Sequence, residues 1–152
     1  MSGILQRIAT AKRAQLAARK QKLPEDELEK MALLSELSGF AFRENLRREP
    51  GKPINVLAEC KKASPSKGLM IPDYDPLKLA RQYLAGGASA ISVLTETEFF
   101  LGDDAHLRYV TGSIPLPVLR KDFTLERYQI LEARCLGASA ILLIASLLSD
   151  KE

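Results

Sequence analysis

The sequence predicts an α/β fold in which a parallel sheet is built from alternating strands and helices. After Pro53, short apolar runs alternate with segments of helical pattern, which is typical of βαβ units. The pentapeptide Gly-Ala-Ser-Ala-Ile at residues 87–91 recurs at residues 137–141. Each copy follows a helical segment and opens an apolar run, so its glycine is expected to end a helix. The spacing of 50 residues fits two βα units and favours a barrel, although a doubly wound open sheet gives the same alternation.

The composition indicates one soluble domain. The chain has 152 residues, of which 46% are hydrophobic and 27% charged, as in ordinary globular proteins. A net charge of +3 and lysines spread along helical positions do not favour nucleic-acid binding. No apolar run approaches the roughly 20 residues of a membrane span, and an apolar signal core is missing at the N-terminus. We therefore expect a cytoplasmic protein, with Cys60 and Cys135 reduced.

The first fifty residues predict a helical segment that precedes the repeating body. Helical spacing of apolar residues extends over residues 4–46, and Lys12 falls among the polar positions that a solvated face would carry. Pro24 interrupts the pattern and suits the start of a second helix. A Pro/Gly cluster at residues 50–53 ends the region. We therefore divide the chain into residues 1–50, a capping or docking segment, and residues 54–152.

The body predicts four strands and three helices in alternation. Apolar runs mark strands near residues 56–58, 90–94, 117–119 and 140–145, and helical patterns lie at residues 76–85, 104–110 and 125–136. Residues 141–144 are fully apolar, as expected for a strand that is buried on both faces.

Polar residues at two strand ends suggest a functional site. Glu59 and Lys61 lie two positions apart, so both side chains are expected on one face, at the strand ends where parallel α/β folds place their active sites. An ordinary ion pair at a strand end remains the alternative. Lys121 shares a face with Leu119 at the end of the third strand. It could instead pair structurally with Asp122 or Glu96, and no cysteine, histidine or carboxylate pattern predicts a metal site.

Several segments closely resemble the signatures of indole-3-glycerol-phosphate synthases, in the same order along the chain. The similar segments are residues 58–68, 92–96 with 99–102, 117–123 with 128–130, and 137–144, and residues 4–12 resemble the N-terminal helix that these enzymes lay across the barrel mouth. The resemblance implies a (β/α)8 TIM barrel, of which this chain would hold the first four βα units. It also implies that residues 1–50 cap the barrel mouth.

The resemblance further implies an activity and its residues. The family closes the ring of 1-(2-carboxyphenylamino)-1-deoxyribulose 5-phosphate with loss of carbon dioxide and water, without metal or organic cofactor. By this resemblance Lys121 matches the general acid, Lys61 the lysine that contacts the anionic groups of the substrate, and Glu59 the carboxylate that orients both lysines. The substrate is expected beside the following residues: Ser64, Ser92, Phe100, Phe123 and Leu142.

The length of the chain raises a further expectation. A complete barrel needs about 250 residues, and the fifth-strand general base and the phosphate site of the last two βα loops have no counterpart before Glu152. We therefore expect this chain to be an inactive fragment of a lyase. The alternative is a non-catalytic half-barrel that works through self-association or a partner chain.

Overall fold

The described part of the N-terminal region forms three helices. The computed structural model describes residues 3–35 and 40–149, so residues 36–39 of the predicted helical region lie outside the described residues. Helix α1 spans Ile4–Lys22, α2 spans Glu25–Leu33 and α3 spans Phe40–Leu46. The interruption that was predicted at Pro24 is confirmed, because Pro24 caps α2 and its missing N–H is not needed there. Three acidic residues in the first turn of α2 complement the positive end of the helix dipole.

The body alternates strands with helices, as predicted. Its elements are β1 (Leu57–Cys60), the short strands β2 (Ala63–Ser64) and β3 (Gly68–Leu69), α4 (Pro76–Ala85), β4 (Ala90–Leu94), α5 (Asp104–Thr111), β5 (Val118–Lys121), α6 (Arg127–Cys135), β6 (Ala140–Ile141) and a single 3-10 turn, Ala145–Leu147. The small antiparallel pair β2–β3 lies within the connection between β1 and α4. Among the described residues, no helix is both long and apolar enough to cross a membrane.

The sheet is parallel and its strands follow one another in chain order. The order is β1-β4-β5-β6, and Glu59 pairs with Ser92 and Ser92 with Leu119 across the first three strands. A doubly wound sheet reverses its strand order at a switch point, whereas here each new strand lies beside the preceding one. This is the progression of a βα barrel, and the described strands form part of one.

The two faces of the sheet have different characters. Cys60, Ile91, Val93 and Val118 point to the helices and pack with residues of α4, α5 and α6 in the main apolar cluster. Because side chains alternate along a strand, Glu59, Ser92, Leu94, Leu119 and Lys121 point to the opposite face. The polar side chains of that face therefore lie in the barrel interior.

The repeated pentapeptide ends two helices in the same way. Gly87 and Gly137 have φ values of 85° and 86°, a left-handed conformation that favours glycine. The amide of Gly87 donates to the Leu84 carbonyl and that of Gly137 to the Arg134 carbonyl, as in a Schellman motif. Two residues later, the amide of Ser89 donates to the Val56 carbonyl and the amide of Ser139 donates to the Val118 carbonyl, each at a distance of 2.8 Å. Each repeat therefore also begins a strand at a fixed register.

The three N-terminal helices lie at different places. α1 lies over the carboxyl ends of the strands, where Gln15 contacts Thr97 and Lys12 contacts Asp122. α2 packs outside against α6. α3 lies at the amino ends of the strands, where Asn45 donates to the carbonyl of Ser89, the residue before β4. The helix that covers the strand ends is thus α1, and the division into residues 1–50 and 54–152 stays a prediction.

The fourth strand differs from the prediction. The strand is Ala140–Ile141 rather than residues 140–145, and the chain then leaves the sheet. The prediction that residues 141–144 are buried on both faces was wrong, since Leu143 is 57% exposed. The reason is that β6 pairs with β5 on one side, while no described strand covers its other edge. An apolar pattern predicts burial only if a neighbouring strand covers the segment, and the pattern does not show whether that strand is present.

Candidate active site

One carboxylate and two lysines meet at the carboxyl ends of β1 and β5. Lys61 Nζ lies 2.6 Å from Glu59 Oε1, and Lys121 Nζ lies 2.8 Å from Glu59 Oε2. The side chains of all three are about one-third exposed, at 29% for Glu59, 30% for Lys61 and 35% for Lys121. Period-two alternation places them on one face, and the parallel register brings the two strand ends together.

The electrostatics of this group keep Glu59 ionised. Burial alone would raise the pKa of Glu59, but the hydrogen bonds and charges of Lys121 and Lys61 outweigh burial and lower it from its ordinary value. The carboxylate therefore carries its charge at neutral pH and holds both ammonium groups. Lys121 pairs with Glu59, so the alternatives that paired it with Asp122 or Glu96 were wrong.

A cavity of about 170 Å³ lies directly beside the three charged groups. Its walls combine those charges with apolar side chains. Three of the residues predicted beside the substrate line it, namely Phe100, Phe123 and Leu142. The Phe100 and Phe123 rings are 6.0 Å apart between centroids, within the range of favourable aromatic pairs. The cavity thus offers a flat apolar wall next to two cations.

The two serines predicted beside the substrate lie away from these walls. Ser64 is on the β2–β3 hairpin, where its hydroxyl accepts from the Lys67 amide at 3.3 Å. Ser92 is 3% exposed on the inner face of β4, and its hydroxyl has no hydrogen-bond partner among the described residues. Its register partner is Glu59, so it lies one layer beneath the lysines. The assignment of both serines to substrate binding stays a prediction.

Three lining residues were not predicted: Leu94, Asp122 and Ile144. Leu94 could have been found, because it lies two residues after Ser92 on the same face and its register partner is Lys121. Ile144 could also have been found, because in the predicted strand at residues 140–145 it lies two residues after Leu142 and so on the same face, although the observed β6 ends at Ile141.

A buried ionic network supports the site from behind. Arg120 is 2% exposed and contacts Asp104 at 2.9 Å, Glu132 at 3.2 Å and the Gln129 carbonyl at 3.0 Å. Arg120 is adjacent to Lys121 on the other face of β5, so its contacts fix the strand that carries the lysine. Sequence patterns do not reveal this network, because the residues that Arg120 contacts come from separate helices.

The network also includes α1. Lys12 Nζ lies 2.8 Å from Asp122 Oδ1, with both side chains at most 3% exposed, so the prediction that Lys12 lies on a solvated face was wrong. Burial would raise the pKa of Asp122, but Lys12 and Arg120 lower it. Asp122 also accepts from the Thr95 hydroxyl at 2.7 Å. The buried charges are compensated because Lys12 and Asp122 are counter-ions and Asp122 also accepts a hydrogen bond.

Consecutive parallel βα units, with charged side chains around a cavity at the carboxyl strand ends, are features of a βα-barrel protein. The chain belongs to the indole-3-glycerol phosphate synthase family, since the sequence model of that family matches residues 5–152.

Individual relatives agree with the family assignment. The chain is 46% identical over 152 residues to an indole-3-glycerol phosphate synthase of Azospirillum brasilense, and the match covers 100% of this chain and 58% of the relative. It is 42% identical to a protein of the same name from Lachnoclostridium phytofermentans, over 98% of this chain and 58% of the relative. A third, from Chlorobium chlorochromatii, is 46% identical over 97% of this chain and 57% of the relative. The chain therefore spans a little under three-fifths of the length of these relatives.

Proposed function

We propose that this chain supplies the acid half of an indole-3-glycerol phosphate synthase active site. The substrate would be the phosphorylated ketone 1-(2-carboxyphenylamino)-1-deoxyribulose 5-phosphate, and the products indole-3-glycerol phosphate, carbon dioxide and water. The observation that carries the proposal is the single carboxylate of Glu59 shared by two lysine ammonium groups beside an aromatic cavity.

Each group has a role that its position supports. The ammonium of Lys121 donates a proton to the ketone oxygen while the ring carbon that bears the carboxyl group attacks the ketone carbon, and a new carbon–carbon bond forms. Lys61 binds the carboxylate that later leaves as carbon dioxide, by a charge-assisted hydrogen bond. Loss of carbon dioxide returns the electron pair of the broken carbon–carboxyl bond to the ring. The hydroxyl that results from the attack then takes a proton from a lysine ammonium and leaves as water, while the methylene beside the nitrogen loses a proton to the general base that the family supplies from its fifth strand. Glu59 holds both ammonium groups aimed into the cavity, which lowers the cost of reorganisation during the reaction.

The apolar walls bind the other part of the substrate. The cavity is bordered by Phe100 and Phe123 on one side and by Leu142, a set that suits the flat ring of a carboxyphenyl group. The ring would lie within reach of both lysines, so that attack and protonation occur in one bound geometry. The sugar phosphate would extend beyond the described cavity.

We expect a biosynthetic reaction of this kind to take place in the cytoplasm.

Turnover by a chimera tests the proposal. The chimera carries this chain in place of the corresponding part of the Azospirillum brasilense relative, so that the remaining strands come from a known member of the family. We expect conversion of the substrate, followed by the fluorescence of the indole product. Lys121→Met should lower kcat by about 10²- to 10⁴-fold, the usual contribution of a general acid.

The matched control is Lys62→Met, because Lys62 is adjacent to Lys61 and does not line the cavity. This variant should retain its activity. Full activity in Lys121→Met, or no turnover by a folded wild-type chimera, would contradict the proposal.

A further inference from the structure

The loop after β4 carries one wall of the cavity, and a buried carboxylate holds that loop in shape. We propose that Glu96 is a positioning residue that fixes the Phe100 ring against the aromatic ring of the substrate. The inference deepens the proposed function and rests on it. Neither the relatives' names nor the predicted site residues assign a role to Glu96.

The contacts of Glu96 are directed at the main chain of its own loop. The residue is 1% exposed. Its Oε1 accepts from the amide of Glu98 at 3.1 Å, and its Oε2 accepts from the amides of Phe99 at 2.7 Å and Phe100 at 3.0 Å. Three charge-assisted hydrogen bonds to successive amides are stronger than neutral ones. They fix the direction of the main chain at the residue whose ring borders the cavity.

The end of the same loop is held equally tightly. The amide of Gly102 donates to the Glu96 carbonyl at 2.7 Å, and a Cβ at residue 102 would lie only 2.5 Å from the Leu94 carbonyl oxygen. Leu101 has a φ of 52°, a left-handed conformation that is uncommon for a residue with a side chain. Such a conformation persists when its surroundings enforce it. The hydrogen bond between Gly102 and Glu96 therefore holds the loop in one conformation despite the strained backbone at Leu101.

The geometry makes the placement of Phe100 sensitive to this loop. Phe99 and Phe100 are adjacent but point to different places. The Phe99 ring lies under Arg7 of α1, 6.0 Å from the guanidinium carbon, whereas the Phe100 ring borders the cavity and contacts Phe123. A small rotation of the main chain here would move Phe100 away from the substrate ring. Glu96 opposes that rotation through its hydrogen bonds to the amides of Phe99 and Phe100.

The test measures binding of 2-(methylamino)benzoate, which carries the ring, the nitrogen and the carboxylate of the proposed substrate. The probe is titrated into the 152-residue chain and followed by NMR shifts of the cavity amides. Glu96→Ala should weaken binding by about tenfold, the scale of one lost aromatic contact. Glu96→Gln keeps the side-chain volume and one carbonyl oxygen, and should weaken binding less. Glu98→Gln is the control, because its exposed side chain is on the same loop.

A second background separates positioning from a general loss of stability. In a Phe100→Ala chain the ring is gone, so Glu96→Gln should cause no further loss of affinity, as the two sites act as one. An equal loss of affinity in both backgrounds would overturn the positioning role. Unchanged affinity in Glu96→Gln and in a folded Glu96→Ala chain would also overturn it and leave the proposed function standing. A wild-type chain that binds no probe would contradict the proposed function itself, and the inference with it.

Discussion

Glu59 contacts the two lysines of the cavity through separate carboxylate oxygens. Each lysine therefore keeps its own direction, and in the proposed function one is directed toward the leaving carboxylate and one toward the ketone. Strand alternation was sufficient to predict that Glu59 and Lys61 share a face. It could not predict that Lys121 would meet the same carboxylate, because that contact depends on the register between strands 62 residues apart.

The pKa of Glu59 gives a prediction for the pH dependence of stability. The folded-state pKa is lowered from the ordinary value of 4.5, so its ion pairs stabilise the fold fully above about that pH. The contribution is lost as the pH falls below it toward the lowered pKa. The free energy of unfolding by urea should therefore differ between wild type and Glu59→Gln at about pH 7 and differ less at about pH 3.5.

The control for this measurement is Glu98→Gln. The Glu98 side chain is exposed, and the hydrogen bond from Glu98 to Glu96 is donated by the main-chain amide, which the substitution keeps. Its difference from wild type should stay small at both pH values. A Glu59→Gln difference that grows as the solution is acidified would contradict the lowered pKa.

At the scale of elements, α1 is attached to the strand ends by charge as well as by apolar packing. Ala9 packs with Leu125 and Leu147, and Lys12 pairs with Asp122, which is adjacent to Lys121. Helical periodicity predicted α1 but assigned Lys12 to solvent, because a pattern of polar positions does not reveal a distant counter-ion. Arg120 was missed for the same reason. By contrast, the two glycine helix ends were predictable, since the signal lies within each repeat.

The Lys12–Asp122 pair predicts a large effect on stability. Lys12→Met removes one partner and leaves the Asp122 carboxylate buried without this counter-ion, which should destabilise the chain by about 3 kcal/mol. Arg13→Met changes an exposed neighbour on the same helix and should alter stability by less than about 0.5 kcal/mol. Urea unfolding followed by circular dichroism measures both variants. Equal stability of the two would show that the ion pair does not hold α1 to the strand ends.

At the scale of the whole molecule, the described sheet has two open edges. β1 pairs with β4 and β6 pairs with β5, and apolar side chains are exposed near both edges, including Val56 at 50% and Leu143 at 57%. The order of elements could be predicted because alternation and the repeat are local signals. The shortening of β6 could not, because burial of an apolar strand depends on neighbours beyond the described strands.

Open edges of this kind promote pairing between chains. We therefore predict that the 152-residue chain self-associates at micromolar concentration, as sedimentation velocity would show. Leu143→Lys should shift the distribution toward monomer, because it places a charge on the exposed edge. A wild-type chain that stays monomeric over a wide concentration range would contradict this prediction.

We propose that the two lysines and the aromatic walls form one binding site. The most direct measurement is the titration of 2-(methylamino)benzoate into the wild-type chain and into the neighbouring variants Lys61→Met and Lys62→Met. We expect shifts at Lys121, Phe123 and Leu142, with affinity lowered about tenfold in Lys61→Met, the scale of one charge-assisted hydrogen bond, and unchanged in Lys62→Met. Equal affinity in both variants, or shifts confined to residues outside the cavity, would contradict the claim.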